Sequence, residues 1–239
     1  MEGKNRGSSH GESAGEITDM EHTFIQAFSL PESWVLLVRA ILKKGQDFVI
    51  DSGSYESQTR KELDFVTVQI EKPSHPPIVP TSGMMPPGYT GPPPTSLDYV
   101  DNDYVPNYLM SRKKTGSETY TYGDRLMQQW QNVIDMYKKG HRTNQATFEI
   151  ACPSDITLSD PPCLRLIDTR IQDGKLHFFV YFRSWDAWGG YPANMAGFQR
   201  VKEFLAYEIG VEDGELWACS KGLHLYDMYF DVAEQLRVP

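Results

Sequence analysis

One cysteine and one arginine have types and spacing that suggest covalent chemistry. Cys163 follows two prolines, and the segment Arg183-Ser184-x-Asp186 stands twenty residues later. A thiol beside a fixed cation has a depressed pKa and a larger thiolate fraction, and the thiolate is the nucleophile. The alternative for Cys163 is a small buried hydrophobic residue, which is where most free cysteines lie. Cys152 and Cys219 lack comparable neighbours and are expected to be of that second kind.

A β-hairpin is predicted to bring the cysteine to the arginine. The apolar runs Cys163–Ile171 and Leu176–Tyr181 flank Asp173-Gly174, which is a strong signal for a two-residue hairpin turn. Counting outward from that turn places Cys163 opposite Ser184, with Arg183 beside it. Opposed residues share a face of the sheet, and a β-bulge would shift this register by one residue.

The motifs around this hairpin resemble thymidylate synthase in their order and spacing. The resemblance covers roughly residues 120 to 230 and is closest to the short archaeal-type synthases, in which the cysteine is followed by leucine. Isolated motifs such as Pro-Pro-Cys are weak signals, whereas several in register form a strong one. The matching pieces are Pro161-Pro162-Cys163, Arg183-Ser184-x-Asp186, Gly190, Pro192-x-Asn194 and His224-x-Tyr226.

The resemblance implies reductive methylation of dUMP to dTMP. Cys163 would add to C6 of the pyrimidine, and C5 would then take a methylene group and a hydride from 5,10-methylenetetrahydrofolate or a methanopterin-type analogue. The expected catalytic residues are Cys163, Asn194 and Asp186, and the expected carrier contacts are Asp186 and Gly190. The expected nucleotide contacts are Arg142, Arg183, Ser184, Asn194, His224, Tyr226 and Arg60.

Further roles follow from the same resemblance. Arg142 matches an arginine that reaches the partner's phosphate, which implies an obligate homodimer. The amide of Asn194 offers a donor and an acceptor that complement O4 and N3–H of uracil, although an amide can flip. The pair His224 and Tyr226 would contact the sugar hydroxyl, and Trp185 is either a stacking or a buried residue. No metal site is expected.

Each assignment has a plainer alternative. Without the resemblance, Arg142 would be interpreted as a surface charge and Asn194 as a helix N-cap. His224 and Tyr226 would be interpreted as ordinary residues at the end of a strand. The family's general acid/base glutamate has no recognisable motif in this sequence, so Glu62 and Glu118 are candidates only because they are acidic and near the motifs.

Two other functions stay open. The chain ends soon after His224, where longer family members continue into a segment that closes over the ligands. Without closure, water would reach the exocyclic methylene and give a hydroxymethyl product, so a dCMP, CMP or dUMP hydroxymethylase is the first alternative. The second is a nucleotide-binding protein without catalysis.

Composition excludes other classes. The chain has 239 residues with 40% hydrophobic and 23% charged residues, which is ordinary for a globular protein. The net charge of −9 leaves no general basic surface for nucleic acid. No apolar run approaches the roughly 18 residues that cross a membrane. An odd number of cysteines without metal-ligand spacing favours a reducing compartment, so we expect a cytoplasmic enzyme.

Helices and strands are predicted to alternate without βαβ regularity, which indicates an α+β fold with a mixed sheet layered with helices. Residues 1–18 are predicted to be a disordered tail, and 19–239 a single catalytic domain. Helices are predicted from Ser29, from Asp124 to about Lys139, and after Asn194. Strands are expected at Phe48–Ser54, Leu63–Glu71, about Ala146–Cys152 and Glu215–Ser220, with Arg60 and Glu62 near the turn between the first two.

A proline-rich segment interrupts this pattern. Nine of the sixteen prolines fall in residues 73–94, and residues 73–95 are assigned as a loop within the domain. Proline lacks the amide donor that helices and central strands need. The segment is therefore a connector, a polyproline ligand, or a cover over an active site.

Overall fold

The computed structural model describes residues 19–50, 58–113, 120–140 and 142–239. The predicted tail, the end of the predicted strand Phe48–Ser54, and Glu118 lie outside these residues. The strands are β1 His22–Ala27, β2 Gln46–Val49, β3 Thr59–Leu63, β4 Phe65–Ile70, β5 Thr147–Glu149, β6 Leu164–Gln172, β7 Lys175–Phe182, β8 Trp185–Asp186, β9 Glu212–Ser220 and β10 Leu223–Tyr226. The helices are α1 Leu30–Lys44, α2 Leu97–Tyr99, a π-helix Val100–Leu109, α3 Tyr122–Lys139, α4 Gly190–Ile209 and α5 Phe230–Ala233.

The strands form two mixed sheets. The six-stranded sheet has the order β1-β4-β9-β7-β6-β5, and the four-stranded sheet has the order β2-β3-β10-β8. In the first, β1 and β4 are parallel, as are β7 and β9, while the other pairs are antiparallel. The predicted α+β class with a mixed sheet and layered helices is confirmed. Within the described residues, no helix has both the length and the apolar composition required to cross a membrane.

The hydrophobic core lies on one face of the six-stranded sheet. Residues of β7 alternate between fully buried and half-buried, and Phe178 and Phe182 point to the buried side. Helices α1 and α4 pack on this side and against each other. The opposite face carries aromatic side chains, among them Phe24, which is 53% exposed and stacks on Trp217. A sheet covered on one face only leaves the other for solvent or a partner.

The start of α1 follows from local sequence. The predicted start at Ser29 is confirmed, since the Ser29 hydroxyl accepts a hydrogen bond from the amide of Glu32. Pro31 occupies the first turn, and Gly45 ends the helix. Helix α3 also ends where predicted, at Lys139, and begins at Tyr122 rather than Asp124 because Thr121 is its N-cap.

Some local expectations need correction. The predicted strand Leu63–Glu71 is β4, but it begins at Phe65, because the chain bends at Asp64 and Leu63 ends β3 of the four-stranded sheet. Arg60 and Glu62 therefore lie within β3 and not near a turn. Strand β1 and the π-helix were not predicted, because β1 pairs in parallel with a distant strand and Pro106 indicates a break in a regular helix.

Candidate active site

The hairpin predicted from Asp173-Gly174 is confirmed, and its register shifts at one position. Asp173 and Gly174 both have positive φ, at 52° and 74°, as a type I′ turn requires. Pairing is regular from Gln172–Lys175 outward until a β-bulge between Leu164 and Leu166.

The bulge moves the cysteine one residue along its partner strand. The amide of Arg183 donates to the carbonyl of Cys163 at 2.9 Å, so Cys163 lies opposite Arg183 and not opposite Ser184 as predicted. Leu164 pairs with Phe182 on the core side. Cys163 therefore shares a face of the strand pair with Arg183, and its half-buried side chain still packs against the edge of the core.

The guanidinium of Arg183 holds the loop before the cysteine. It donates to the carbonyls of Pro162 and Pro161, at 3.2 and 2.6 Å, and contacts the carboxylate of Asp160 at 3.5 Å. Arg165, the residue of the bulge, donates to the same Pro162 carbonyl at 3.2 Å. Two guanidinium groups thus meet beside Cys163.

These two groups line a cavity of about 340 Å³, which we call the arginine cavity. Two cations at one cavity suit a dianion such as a phosphate monoester. Cys163 is half-buried and does not itself line the cavity, but its carbonyl accepts a hydrogen bond from the amide of Arg183, which does. The residues that line the cavity are Cys152, Pro153, Ile156, Pro161, Arg165, Tyr181 and Arg183.

The acidity of the Cys163 thiol differs from the expectation. Burial raises the pKa of Cys163, Arg183 and Arg165 lower it, and Asp160 raises it, with burial as the largest effect. The predicted low pKa is therefore wrong, because desolvation disfavours the thiolate more than the arginines favour it.

Two tyrosines lie near the thiol. The hydroxyl of Tyr122 accepts from the amide of Leu164 at 3.4 Å, and burial raises the pKa of Tyr122, with the charge of Cys163 as the next cause. Burial also raises the pKa of Tyr120 to about 12, with Asp160 and Cys163 adding to it. Both phenols are therefore neutral hydrogen-bonding groups at neutral pH.

The four-stranded sheet collects several predicted residues on one face. His224 of β10 pairs with Glu62 on one side and with Asp186 on the other, and Tyr226 pairs with Arg60. Directly opposed residues, and residues two apart, share a face. The rings of His224 and Tyr226 lie 5.1 Å apart, as their spacing predicted.

Glu62 is close to the cysteine hairpin. It forms an ion pair with Arg60 at 2.7 Å, and both side chains are largely buried. A Cβ placed on Gly222 would lie 3.1 Å from Oε1 of Glu62 and 3.6 Å from the carbonyl of Arg183. The carboxylate of Glu62 therefore lies beside the end of β7. The sequence had indicated only that Glu62 is acidic and near the motifs.

His224 is neutral and has a defined tautomer. Burial lowers the pKa of His224 to about 4, and its Nδ1 lies 3.0 Å from the carbonyl of Gly222. A carbonyl only accepts, so Nδ1 carries the proton and Nε2 is left as an acceptor. Such a nitrogen can accept a hydrogen bond from a sugar hydroxyl.

Asp186 fixes the turn into α4. Its carboxylate accepts from the backbone amides of Trp188, Gly189 and Gly190, at 2.9, 3.1 and 3.1 Å. Because both oxygens are engaged in this way, Asp186 shapes the backbone around Gly190.

Asn194 lies inside α4, whose N-cap is Gly189, so its interpretation as an N-cap is wrong. Its amide oxygen accepts from Nε1 of Trp185 at 2.8 Å, and its amide nitrogen donates to the hydroxyl of Tyr104 at 2.6 Å. Trp185 is buried against Phe182, with ring centroids 3.9 Å apart.

Asn194 and Gly190 line a second cavity of about 630 Å³, which we call the proline cavity. The proline-rich segment forms much of its wall, so that segment reaches the candidate site. Its lining residues carry no charge. They are Val79, Pro80, Pro92, Pro93, Pro94, Thr95, Ser96, Leu97, Tyr99, Tyr104, Gly189, Gly190, Ala193 and Asn194.

A short segment of chain, from Arg183 to Trp185, connects the two cavities. Arg183 lines the arginine cavity, and Trp185, two residues later, binds Asn194 of the proline cavity. Two extended residues span about 7 Å. Ser184, half-buried, lies between them.

Arg142 lies apart from these residues within one chain. It is exposed, and Asn144, two residues later, lines a separate cavity with Asp168 and Arg170. Asp168 lies five residues along β6 from Cys163, which is about 17 Å of extended chain. The structure therefore places Arg142 near the other end of β6.

Sequence reasoning missed two residues of the site and the partner of a third. Arg165 had a detectable signal, since it is a cation two residues after the cysteine, between Leu164 and Leu166. Tyr104 had none, because its contact with Asn194 spans 90 positions. Trp185 stood within a predicted motif, but its partner was not evident from the spacing.

Comparisons with known proteins agree with this arrangement. The family model described as thymidylate synthase matches residues 100–238, which is more than half of the chain. A protein of Methanosarcina acetivorans is 29% identical over 221 residues, covering 89% of this chain and 93% of that protein. One from Methanosarcina barkeri is 28% identical over 222 residues, with the same coverage.

A protein of Methanothermobacter thermautotrophicus is 33% identical over 123 residues, covering 49% of this chain and 55% of its own length. All three carry the name "Putative thymidylate synthase". The family match covers Cys163, Arg183, Asn194 and His224, of which Arg183 lines the arginine cavity and Asn194 the proline cavity. The chain belongs to the thymidylate synthase family.

Proposed function

We propose that the protein is a thymidylate synthase that converts dUMP to dTMP with a methylenetetrahydrofolate-type carrier. The observation that supports this most directly is the meeting of Cys163 with Arg183 and Arg165. Two residues after Arg183, Trp185 holds an asparagine, Asn194, that offers both a donor and an acceptor. A sulfur nucleophile, a dianion site and a base-reading amide are the groups that this reaction needs.

The phosphate of the nucleotide occupies the arginine cavity. Arg183 and Arg165 supply two guanidinium groups there, and the Ser184 hydroxyl stands next in the chain. The base then lies towards Asn194, which accepts a hydrogen bond from Trp185, two residues after Arg183. The sugar lies over His224 and Tyr226, where Nε2 of His224 accepts a hydroxyl hydrogen bond.

Chemistry begins at Cys163. Its thiolate adds to C6 of the pyrimidine, and the electron pair of the C5–C6 double bond makes C5 a nucleophile towards the methylene of the carrier. Loss of the C5 proton and cleavage of the methylene–nitrogen bond form an exocyclic methylene. Hydride transfer from the same carrier then completes the methyl group, and the sulfur leaves C6.

Glu62 is proposed for the proton transfers. Its carboxylate lies near the Arg183 backbone, on the far side of Gly222, and is paired with Arg60. A general base must lie within hydrogen-bond reach of the proton that it moves, and this position beside the end of β7 supports Glu62 for the role.

The carrier lies in the proline cavity. A volume of about 630 Å³ and uncharged, partly aromatic walls suit a flat heterocycle with an aromatic arm. Gly190 lets that ring approach α4 closely, and Asp186 holds the Gly190 amide turn in place. Contact of Asp186 with the carrier itself stays a prediction.

The functional unit proposed is a homodimer. Arg142 stands two residues before Asn144, which lines a cavity with Asp168 and Arg170 and not with Cys163. The open face of the six-stranded sheet carries Phe24, Phe179 and Trp217 in a stacked row. An aromatic sheet face of this kind suits burial against a second copy. In such a dimer Arg142 would reach the partner's phosphate.

Product analysis tests this proposal. The protein would be incubated with dUMP and a carrier whose methylene is isotopically labelled, and the products would be identified by mass spectrometry. We expect labelled dTMP. A hydroxymethyl pyrimidine would indicate the hydroxymethylase instead, and binding of dUMP without turnover would indicate a non-catalytic nucleotide-binding protein.

A further inference from the structure

The side chain of Asn194 is held between a residue that can only donate and a residue that can donate or accept. The indole Nε1 of Trp185 carries a hydrogen and has no acceptor, whereas the phenol of Tyr104 has both functions. The observed contacts are 2.8 Å from Trp185 to the amide oxygen and 2.6 Å from the amide nitrogen to Tyr104.

An asparagine amide can turn over and exchange its oxygen and nitrogen without changing its shape. Opposite a uracil, one orientation presents an acceptor to N3–H and a donor to O4. The other orientation presents the reverse pair, which complements cytosine. The identity of the base that Asn194 reads therefore depends on what fixes the amide.

Trp185 removes this ambiguity. If the amide turned over, its NH₂ group would face the indole N–H, and two donors would meet in a buried place without an acceptor. Tyr104 would tolerate the change by donating to the oxygen. The indole cannot move away, because it is 4% exposed, stacks on Phe182 at 3.9 Å and contacts Tyr191 at 4.8 Å.

We propose that Trp185 is the positioning residue that makes Asn194 read uracil in preference to cytosine. The inference rests on the proposed function and adds the reason for its base specificity. Trp185 occupies one lone pair of the amide oxygen, and Tyr104 accepts one of the two amide hydrogens. The second lone pair and the second hydrogen of Asn194 are left for the base. Gly190 leaves the space beside the Asn194 amide open. A Cβ at this position would be in van der Waals contact with the amide oxygen, at 3.8 Å.

The test compares the affinities of the full-length protein for dUMP and dCMP by titration calorimetry. We expect the unaltered protein to prefer dUMP, and Trp185→Phe to reduce the ratio of the two affinities by about tenfold, because one buried polar mismatch is no longer penalised. Trp188→Phe is the matched control. Trp188 is equally buried in the same turn but stacks on Tyr229, so its replacement is expected to leave the ratio unchanged.

A second replacement isolates the donor. Substituting Trp185 with 3-benzothienylalanine exchanges the N–H for sulfur and keeps the shape of the ring, so it protects the test against a folding defect in Trp185→Phe. The same loss of preference is expected. Tyr104→Phe is expected to weaken the binding of both nucleotides while keeping their ratio, since Tyr104 does not select an amide orientation.

An unchanged ratio in Trp185→Phe and in the sulfur analogue would overturn the inference and leave the proposed function intact. Equal loss of preference in Tyr104→Phe and Trp185→Phe would also overturn it. If the unaltered protein bound neither nucleotide, the proposed function would fail, and this inference with it.

Discussion

The thiol of Cys163 shows how one residue combines opposing influences. Burial raises its pKa, while Arg183 and Arg165 lower it. The sequence correctly indicated a cysteine beside Arg183 but not the degree of burial, which depends on how the loop and the hairpin pack. For the same reason the arginine of the bulge was overlooked, because a bulge is set by contacts across the strand pair and not by local propensity.

Replacing the nucleophile separates binding from chemistry. We expect Cys163→Ser to reduce turnover by at least about a thousandfold, because a serine hydroxyl is barely ionised at neutral pH. Nucleotide binding should largely survive, since the arginines and Asn194 are unchanged. Labelled product and titration calorimetry measure the two effects, and a parallel loss of both in a folded variant would argue against this role.

Replacing the base-reading amide should change the preferred base. Asn194→Asp removes the donor that faces O4 of uracil, and a protonated carboxyl or a carboxylate can accept from the amino group of cytosine. We expect the preference to move towards dCMP by roughly tenfold or more. Affinities for dUMP and dCMP, measured side by side, check this, and an unaltered ratio would refute the role.

Among the elements, the loop that leads to the cysteine depends on one buried ion pair. Asp155 is 1% exposed, receives two hydrogen bonds of 2.6 Å from Arg125 of α3, and accepts a third from the amide of Cys152. The pair ties the 3₁₀ turn Pro153–Thr157 to α3. The loop between β5 and β6 is thereby fixed to the helix that carries Tyr122.

This ion pair predicts a dependence of stability on pH. Hydrogen bonds from Arg125 lower the pKa of Asp155 to about 2, below its ordinary value of 3.8. Because the folded pKa is the lower one, the contribution is complete above about pH 4 and is lost as the pH falls towards 2. Unfolding by urea across this range should show a decline in the free energy of unfolding.

The matching variant is Asp155→Asn, which leaves Arg125 largely buried without its charge partner. We expect it to lower the free energy of unfolding by about 3 kcal/mol and to flatten its decline between pH 4 and 2. Asp135→Asn, at an exposed position of α3, is the control and should change little. Equal stability of the two variants would contradict the argument.

The elements themselves were predictable to different degrees. Helix α1 and the β6–β7 hairpin follow from caps and a turn, which are local signals. Strand β1 and the π-helix do not, since parallel pairing and the accommodation of Pro106 require distant contacts. The proline-rich segment illustrates the limit, because its composition excludes regular structure but does not say which cavity it lines.

For the whole molecule, the position of Arg142 allows a test of the dimer. Arg142→Ala and Cys163→Ser should each be nearly inactive. If Arg142 serves the partner's site, exchanging subunits between the two variants creates heterodimers with one intact site. Random assortment then restores about a quarter of the wild-type activity. No recovery after verified exchange would place Arg142 outside the site.

The open sheet face provides a second test at this scale. Trp217 stacks with Phe24 and Phe179 on that face. We expect Trp217→Glu to shift the protein from dimer to monomer in sedimentation velocity, because a buried carboxylate in the interface would be unpaired. Glu208→Gln, at an exposed position of α4, is the control. A monomeric unaltered protein would contradict the dimer.

The lining of the arginine cavity has a consequence for chemical labelling. All three described cysteines are free, and Cys152 is exposed whereas Cys163 is half-buried. Alkylating reagents should therefore modify Cys152 first, and an adduct there would fill the cavity that holds Arg183 and Arg165. Inactivation by such a reagent would then result from obstruction of the arginine cavity and not from modification of Cys163. Alkylation would identify the nucleophile only in a Cys152→Ser variant.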